Sequence, residues 1–183
     1  MKIYKILVLI LFISSFFLSA QSSQKIILNK LFDQLIETKD LKSAEQLEKR
    51  IWSVWSKHPN NNKLTDKMKF GTELMQYGDY NYALKIFDNI IDTDPKWSEA
   101  WNKRATVYFL MSQLTNSLDD IDKVLNIEPR HFGALSGQAR IFIKLQEYEK
   151  AIKSIERALD FYPSFKSREM IPEIERLIRE ESV

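Results

Sequence analysis

Few side chains in this sequence are suited to covalent or metal chemistry. There is no cysteine among the 183 residues, which removes disulfides, thiolate nucleophiles and cysteine-ligated zinc. The two histidines, His58 and His131, lack the paired spacing that a metal site on one helix face requires. His58 follows an expected helix end and His131 lies in the turn after Pro129, so both read as surface or capping residues. The acid pairs Asp119-Asp120 and Glu180-Glu181 are adjacent in sequence, and helical neighbours point to different faces, so solvated charge explains them. Trp52, Trp55, Trp97 and Trp101 read as packing residues before they read as a sugar platform. The expectation is a protein that is not an enzyme, with no metal and no cofactor. The alternative is an accessory subunit, or a ligand-binding or catalytic protein, that uses its helices only as scaffold.

The elements that would position any such residue are constrained by composition. Hydrophobic residues make up 44% and charged residues 28%, with four Gly and five Pro. This is a globular, helix-compatible composition, sized for one domain plus a terminal appendage. Setting Lys2 and Lys5 aside, basic and acidic residues balance at 25 each. A neutral body lacks the surplus of Lys and Arg that phosphate binding needs, so no nucleic-acid partner is expected.

Those two lysines fall within Met1–Lys5, Ile6–Ala20 is apolar apart from three serines, and the chain turns polar at Gln21. This order reads as a secretion signal over 1–20, cut after Ala20, that exports the protein to the periplasm or beyond. An uncleaved membrane anchor is the alternative. The apolar run is shorter than the roughly 20 residues of a membrane span, so no stable span is expected after cleavage.

The remaining chain repeats itself. Pro95, Pro129 and Pro163 stand 34 residues apart. Counting repeats from Leu64, Ser98 and Phe132, position four is Lys67, Trp101 and Leu135, and position seven is Phe70, Arg104 and Gln138. Position eight is always small: Gly71, Ala105 and Ala139. Leu74, Tyr108 and Phe142 follow at eleven, and Ala83, Ser117 and Ala151 at twenty. Phe87, Ile121 and Ile155 come at twenty-four, then Ile90, Val124 and Ala158 at twenty-seven. Steps of three and four put these residues on single helical faces, and the small ones let two helices approach closely. Each proline ends a helix by excluding its predecessor from helical dihedrals. The pattern predicts helix pairs over 64–76 and 80–93, 97–111 and 114–127, and 131–145 and 148–161. Gly78-Asp79 marks the first internal turn, whereas Ser112-Gln113 and Gln146-Glu147 carry no Gly and read as helically wound.

From roughly Leu64 to Pro163 the sequence resembles the tetratricopeptide repeat. The resemblance implies an all-α, right-handed superhelical α-solenoid of helix-turn-helix units, with repeats at 64–97, 98–131 and 132–165. It also implies a protein-interaction scaffold or adaptor that binds a peptide or helix of a cell-envelope partner on its concave face. In the family the inner face uses positions two, five, nine and twelve of the first helix. These are Thr65, Met68, Thr72 and Met75, then Glu99, Asn102, Thr106 and Phe109, then Gly133, Ser136, Arg140 and Ile143. The candidate peptide-binding set is Met68, Thr72, Met75, Asn102, Lys103, Thr106, Phe109, Ser136, Arg140 and Ile143. The apolar row Met75, Phe109 and Ile143 has an alternative role in packing against neighbouring first helices. Chaperone-binding members grip a terminal carboxylate from positions that are here Met68, Thr72, Lys103, Gly133 and Gly137. Only Lys103 is charged and it replaces an Asn, so that clamp is not carried over and a different ligand is implied.

Two flanks complete the reading. Ile27, Leu28, Leu31, Phe32 and Leu35 form one helical stripe, and Leu41, Ala44, Leu47, Ile51 and Val54 a second. Residues 21–62 are thus a degenerate repeat, or an N-terminal hairpin that caps the open edge of the first true repeat. Residues 164–183 read as a C-terminal capping helix, with a break near Ile171 and a fresh start at Pro172.

Overall fold

The computed structural model describes residues 23–181, so the expected signal over 1–20 lies outside the described residues. Helix α1 covers 23–37 and α2 Leu41–Trp55. Three antiparallel pairs follow: α3 (Asn62–Gln76) with α4 (Tyr80–Thr93), α5 (Ser98–Leu110) with α6 (Leu114–Ile127), and α7 (Phe132–Lys144) with α8 (Tyr148–Leu159). A 3-10 turn at Lys166–Met170 leads into α9 (Ile171–Glu181). Among the described residues there is no strand, and no helix is long and apolar enough to cross a membrane.

Each pair closes on its small residues. Gly71, Ala105 and Ala139 are buried, and opposite them Ala83, Ser117 and Ala151 have no exposure. A Cβ at Gly71 would lie 2.8 Å from the Phe87 ring, a separation that leaves room only for hydrogen. Ser117 uses the same closeness to donate its hydroxyl to the Ala105 carbonyl at 2.8 Å.

The turns inside the three pairs are alike, which the sequence did not suggest. Gly78, Ser112 and Gln146, each 34 residues from the next, all adopt the left-handed conformation, with φ of 83°, 58° and 60°. Paired backbone bonds close each turn, such as Gln113 N–H to the Tyr108 carbonyl and Ser112 N–H to that of Phe109. The second and third turns are therefore not helically wound. The need to satisfy the last carbonyls of α5 and α7 holds two ordinary residues where glycine would sit without strain.

Polar side chains fix neighbouring pairs to one another. Arg104, at position seven, donates to both carboxylate oxygens of Asp120 at 2.8 and 2.7 Å and to Asp88 at 2.7 Å, so it joins α4, α5 and α6. Its guanidinium also lies 4.9 Å from the centre of the Trp101 ring. Asp120 is consequently buried and paired, not the solvated charge its neighbour Asp119 suggested. Burial pushes the Asp120 carboxyl up against the opposing pull of Arg104. Beyond the last pair, Ile174 of α9 enters the cluster of Ala139, Tyr148, Ala151 and Ile155 and covers the open side of α7 and α8.

The N-terminal hairpin takes an unexpected place. Leu28, Leu31, Phe32 and Leu35 of α1 and Ala44, Leu47, Ile51 and Trp55 of α2 share one core with Val124, Phe132, Leu135 and Tyr162. The core of the first pair, built on Leu64, Met68, Phe87, Ile90 and Trp97, contains none of these hairpin residues. The hairpin thus lies across the turns that join successive pairs. Trp97 donates its indole N–H to the Trp55 carbonyl at 2.7 Å, Arg130 reaches Asn29 at 2.9 Å, and Tyr162 donates to Glu48 at 3.1 Å. Its aromatic rings explain the choice, since Phe32 and Trp55 find Phe132 at 6.3 and 5.0 Å between ring centres.

Two substitutions test this packing. Ala105→Leu overfills the α5–α6 seam and lowers stability by about 1 to 3 kcal/mol in denaturant unfolding. Gln146→Gly relieves the left-handed turn and raises stability by up to about 1 kcal/mol, the relief outweighing the greater flexibility of the unfolded glycine.

Candidate functional site

The inner face is organised around one carboxylate. Glu99, in the first turn of α5, has no solvent exposure, and a charge so placed must be matched by ion pairs and hydrogen bonds. His131 Nε2 lies 3.1 Å from its Oε2, Asn102 donates to the same oxygen at 3.0 Å, and Lys103 Nζ stands 3.2 Å from Oε1. Burial raises the Glu99 carboxyl, but the His131 hydrogen bond and the Lys103 charge more than reverse this and leave it below the usual carboxylate range.

His131 is the N-cap of α7, where its Nδ1 accepts the Ala134 N–H at 3.1 Å. A ring that accepts at Nδ1 carries its proton on Nε2, which is the proton offered to Glu99. The ring is fully buried, stacked 4.0 Å from Trp55 and edge-on to Trp52. His58 is also buried, with Nε2 2.9 Å from Asp94. Neither histidine is a surface residue, because Trp52 and Trp55 of α2 cover His131 and Trp97 packs against His58 at 5.1 Å between ring centres. Among the described residues no group of three or more His, Cys, Asp or Glu is placed to hold a metal ion.

Beside this cluster lies a cavity of about 320 Å³ between α5, α7 and α2. Of the sequence candidates, Asn102, Lys103, Thr106, Phe109, Ser136 and Arg140 line it. Met68, Thr72, Met75 and Ile143 do not. Met68 is 2% exposed and belongs to the core with Leu64, Phe87 and Val107, so it is not an open inner-face residue. A large apolar side chain at the seam of α3 and α5 is driven into the core. Thr72 turns its hydroxyl onto the Met68 carbonyl at 2.8 Å. Met75 packs against the core of the first pair and Ile143 against that of the last, so the apolar row divides among separate cores.

Among the wall residues not anticipated as site residues are Glu48 and Trp52 from α2 and Phe165 from the turn after α8. Trp52 fits over α7 because residue 133 is glycine, where a Cβ would stand 2.8 Å from the indole Cζ2. The one sequence signal was that glycine, which sits in the first turn of a helix otherwise rich in helix formers.

Most polar groups at the cavity are already used. Thr106 donates to the Asn102 carbonyl at 2.9 Å, Ser136 shares a bond with Ser167 at 2.9 Å, and Glu48 accepts from Trp52 and Tyr162. Arg140 is the exception. It is exposed and has no hydrogen-bond or ion-pair partner among the described residues.

The Glu99 cluster gives a pH test. A carboxyl held low in the folded state contributes stability above its unfolded pKa of about 4.3, and that contribution disappears as pH falls through the folded value. Glu99→Gln should therefore cost about 1 to 3 kcal/mol at pH 7, by weakening the charge-assisted hydrogen bonds that His131, Asn102 and Lys103 make to the carboxylate. The gap from wild type should narrow when urea unfolding is repeated near pH 3.

With this geometry in view, known proteins can be compared. The sequence model of the tetratricopeptide-repeat family matches residues 133–165. A TPR repeat-containing protein of Rhizobium etli is 35% identical over 104 residues, which is 57% of this chain and 50% of that protein. The chain therefore spans about half the length of that relative. Among solved structures, the first TPR domain of Spaghetti, bound to an HSP90 peptide, superposes with a TM-score of 0.61 at 21% identity. That match covers 66% of this chain and 96% of the domain. A tetratricopeptide repeat protein from Parabacteroides merdae gives 0.59 at 22% identity, over 87% of this chain and 61% of the other. These structural likenesses carry the fold, and the family match marks 133–165, the third of the 34-residue units, as a tetratricopeptide repeat.

Proposed function

We propose that this protein is a non-catalytic scaffold that holds a peptide or helical segment of a protein partner in its inner groove. The observation that carries this reading is the convergence of Asn102, Lys103, Thr106, Phe109, Ser136 and Arg140 on one cavity. Phe109 and Phe165 supply apolar wall, and Arg140 and Lys103 supply hydrogen-bond donors, a mixture suited to a polypeptide side chain and its polar ends. The peptide carried by the Spaghetti domain lends support by likeness of fold. The reading of 1–20 as a secretion signal supports a partner in the cell envelope.

The triple variant Asn102→Ala, Phe109→Ala, Arg140→Ala tests the groove. Wild type incubated with envelope extract should retain a defined partner that the variant, equally folded by circular dichroism, loses. Recovery of the same proteins by both would end this reading.

A further inference from the structure

Grooves made only of stacked helices run open from one repeat to the next. Here α2 crosses the first turn of α7, and Trp52 occupies the space above Gly133, the second position of the third repeat. Its ring is held from both sides, by Glu48 accepting the indole N–H at 3.3 Å and by Lys103 Nζ 5.9 Å from the ring centre. The groove is therefore walled at this end by an indole from outside the repeats. Arg140 lies seven residues further along the same helix, about 10 Å at 1.5 Å per residue. An extended chain covers that distance in about three residues at 3.3 Å each.

The charge left over decides what those residues are. Glu99 is neutralised inside the array, while among the described residues Arg140 has no hydrogen-bond or ion-pair partner, and Lys144, which donates to the Ser112 hydroxyl, stands 5.8 Å over the Phe109 ring. The cavity thus offers donors and a positive charge at its Arg140 end beside aromatic wall, while the Glu48 carboxylate, which accepts from the neutral Trp52 and Tyr162, lies at the Trp52 end. Resting on the function proposed above, we infer that the site takes a short acidic segment of the partner. One side-chain carboxylate meets Arg140, and an apolar side chain within about three residues of it packs against Trp52. The N-terminal hairpin is in this way part of the ligand site, and Trp52 is a specificity-determining residue.

A display library of short random peptides, selected on the full chain, provides the probe. Selected peptides should carry Asp or Glu within three positions of an aromatic or large aliphatic residue. Titration of one such peptide should weaken about tenfold when its acid is changed to the amide or when Arg140→Gln is used, as expected for loss of a charge-assisted hydrogen bond. Trp52→Leu should weaken it similarly and relax the choice of apolar residue in a repeated selection. Trp52→Phe, which keeps an aromatic ring under the hairpin, should retain most binding and controls for folding. Peptides that need Asn102 and Phe109 but lack an acid, or that ignore both Arg140→Gln and Trp52→Leu, would overturn the inference and leave the groove reading intact. A selection yielding nothing sensitive to the triple variant overturns both.

Discussion

A carboxylate removed from water sets the terms for much of this molecule. Glu99 holds the N-terminus of α7 through His131, the ring that the two tryptophans of α2 cover, and draws Asn102 and Lys103 of its own helix inward. Removing Lys103 would leave the buried Glu99 without its counter-charge, a far larger cost than the pair contributes when intact. The second and third repeats, the hairpin and the floor of the groove therefore share one electrostatic condition. Arg140 stands outside this network, with no hydrogen-bond or ion-pair partner among the described residues.

The repeat array was legible because its determinants are local and periodic. Small residues at positions eight and twenty, and proline at thirty-two, state the pairing of helices without knowledge of any distant contact, and the six helix spans agree with expectation to within two residues. What periodicity could not convey was use of the same position for different ends. Position five is apolar core at Met68, an amide bonded to Glu99 at Asn102 and a hydroxyl bonded to Ser167 at Ser136. The left-handed turns at Ser112 and Gln146 were hidden because those residue types do not advertise that conformation as glycine does.

The hairpin was legible as two amphipathic helices but not in its placement. Its apolar stripe fits any hydrophobic surface, and its partners Phe132, Tyr162 and Lys166 lie more than 70 residues away in sequence. Aromatic edges and faces choose among such surfaces through geometry that spacing does not encode. The same is true of His131, whose burial follows from what folds over it.

One consequence concerns how the protein assembles. Helical-repeat arrays usually behave as linear chains of nearest-neighbour couplings, in which folding starts anywhere and spreads, and units can be added or deleted at will. In this protein the strap formed by α2 runs from Glu45 and Glu48, beside Lys166 and Tyr162, back to Trp55 beside Trp97. It ties the end of the series to its beginning. That closure raises the contact order and turns a modular stack into a single cooperative unit, slower to form and intolerant of changes in its number of repeats.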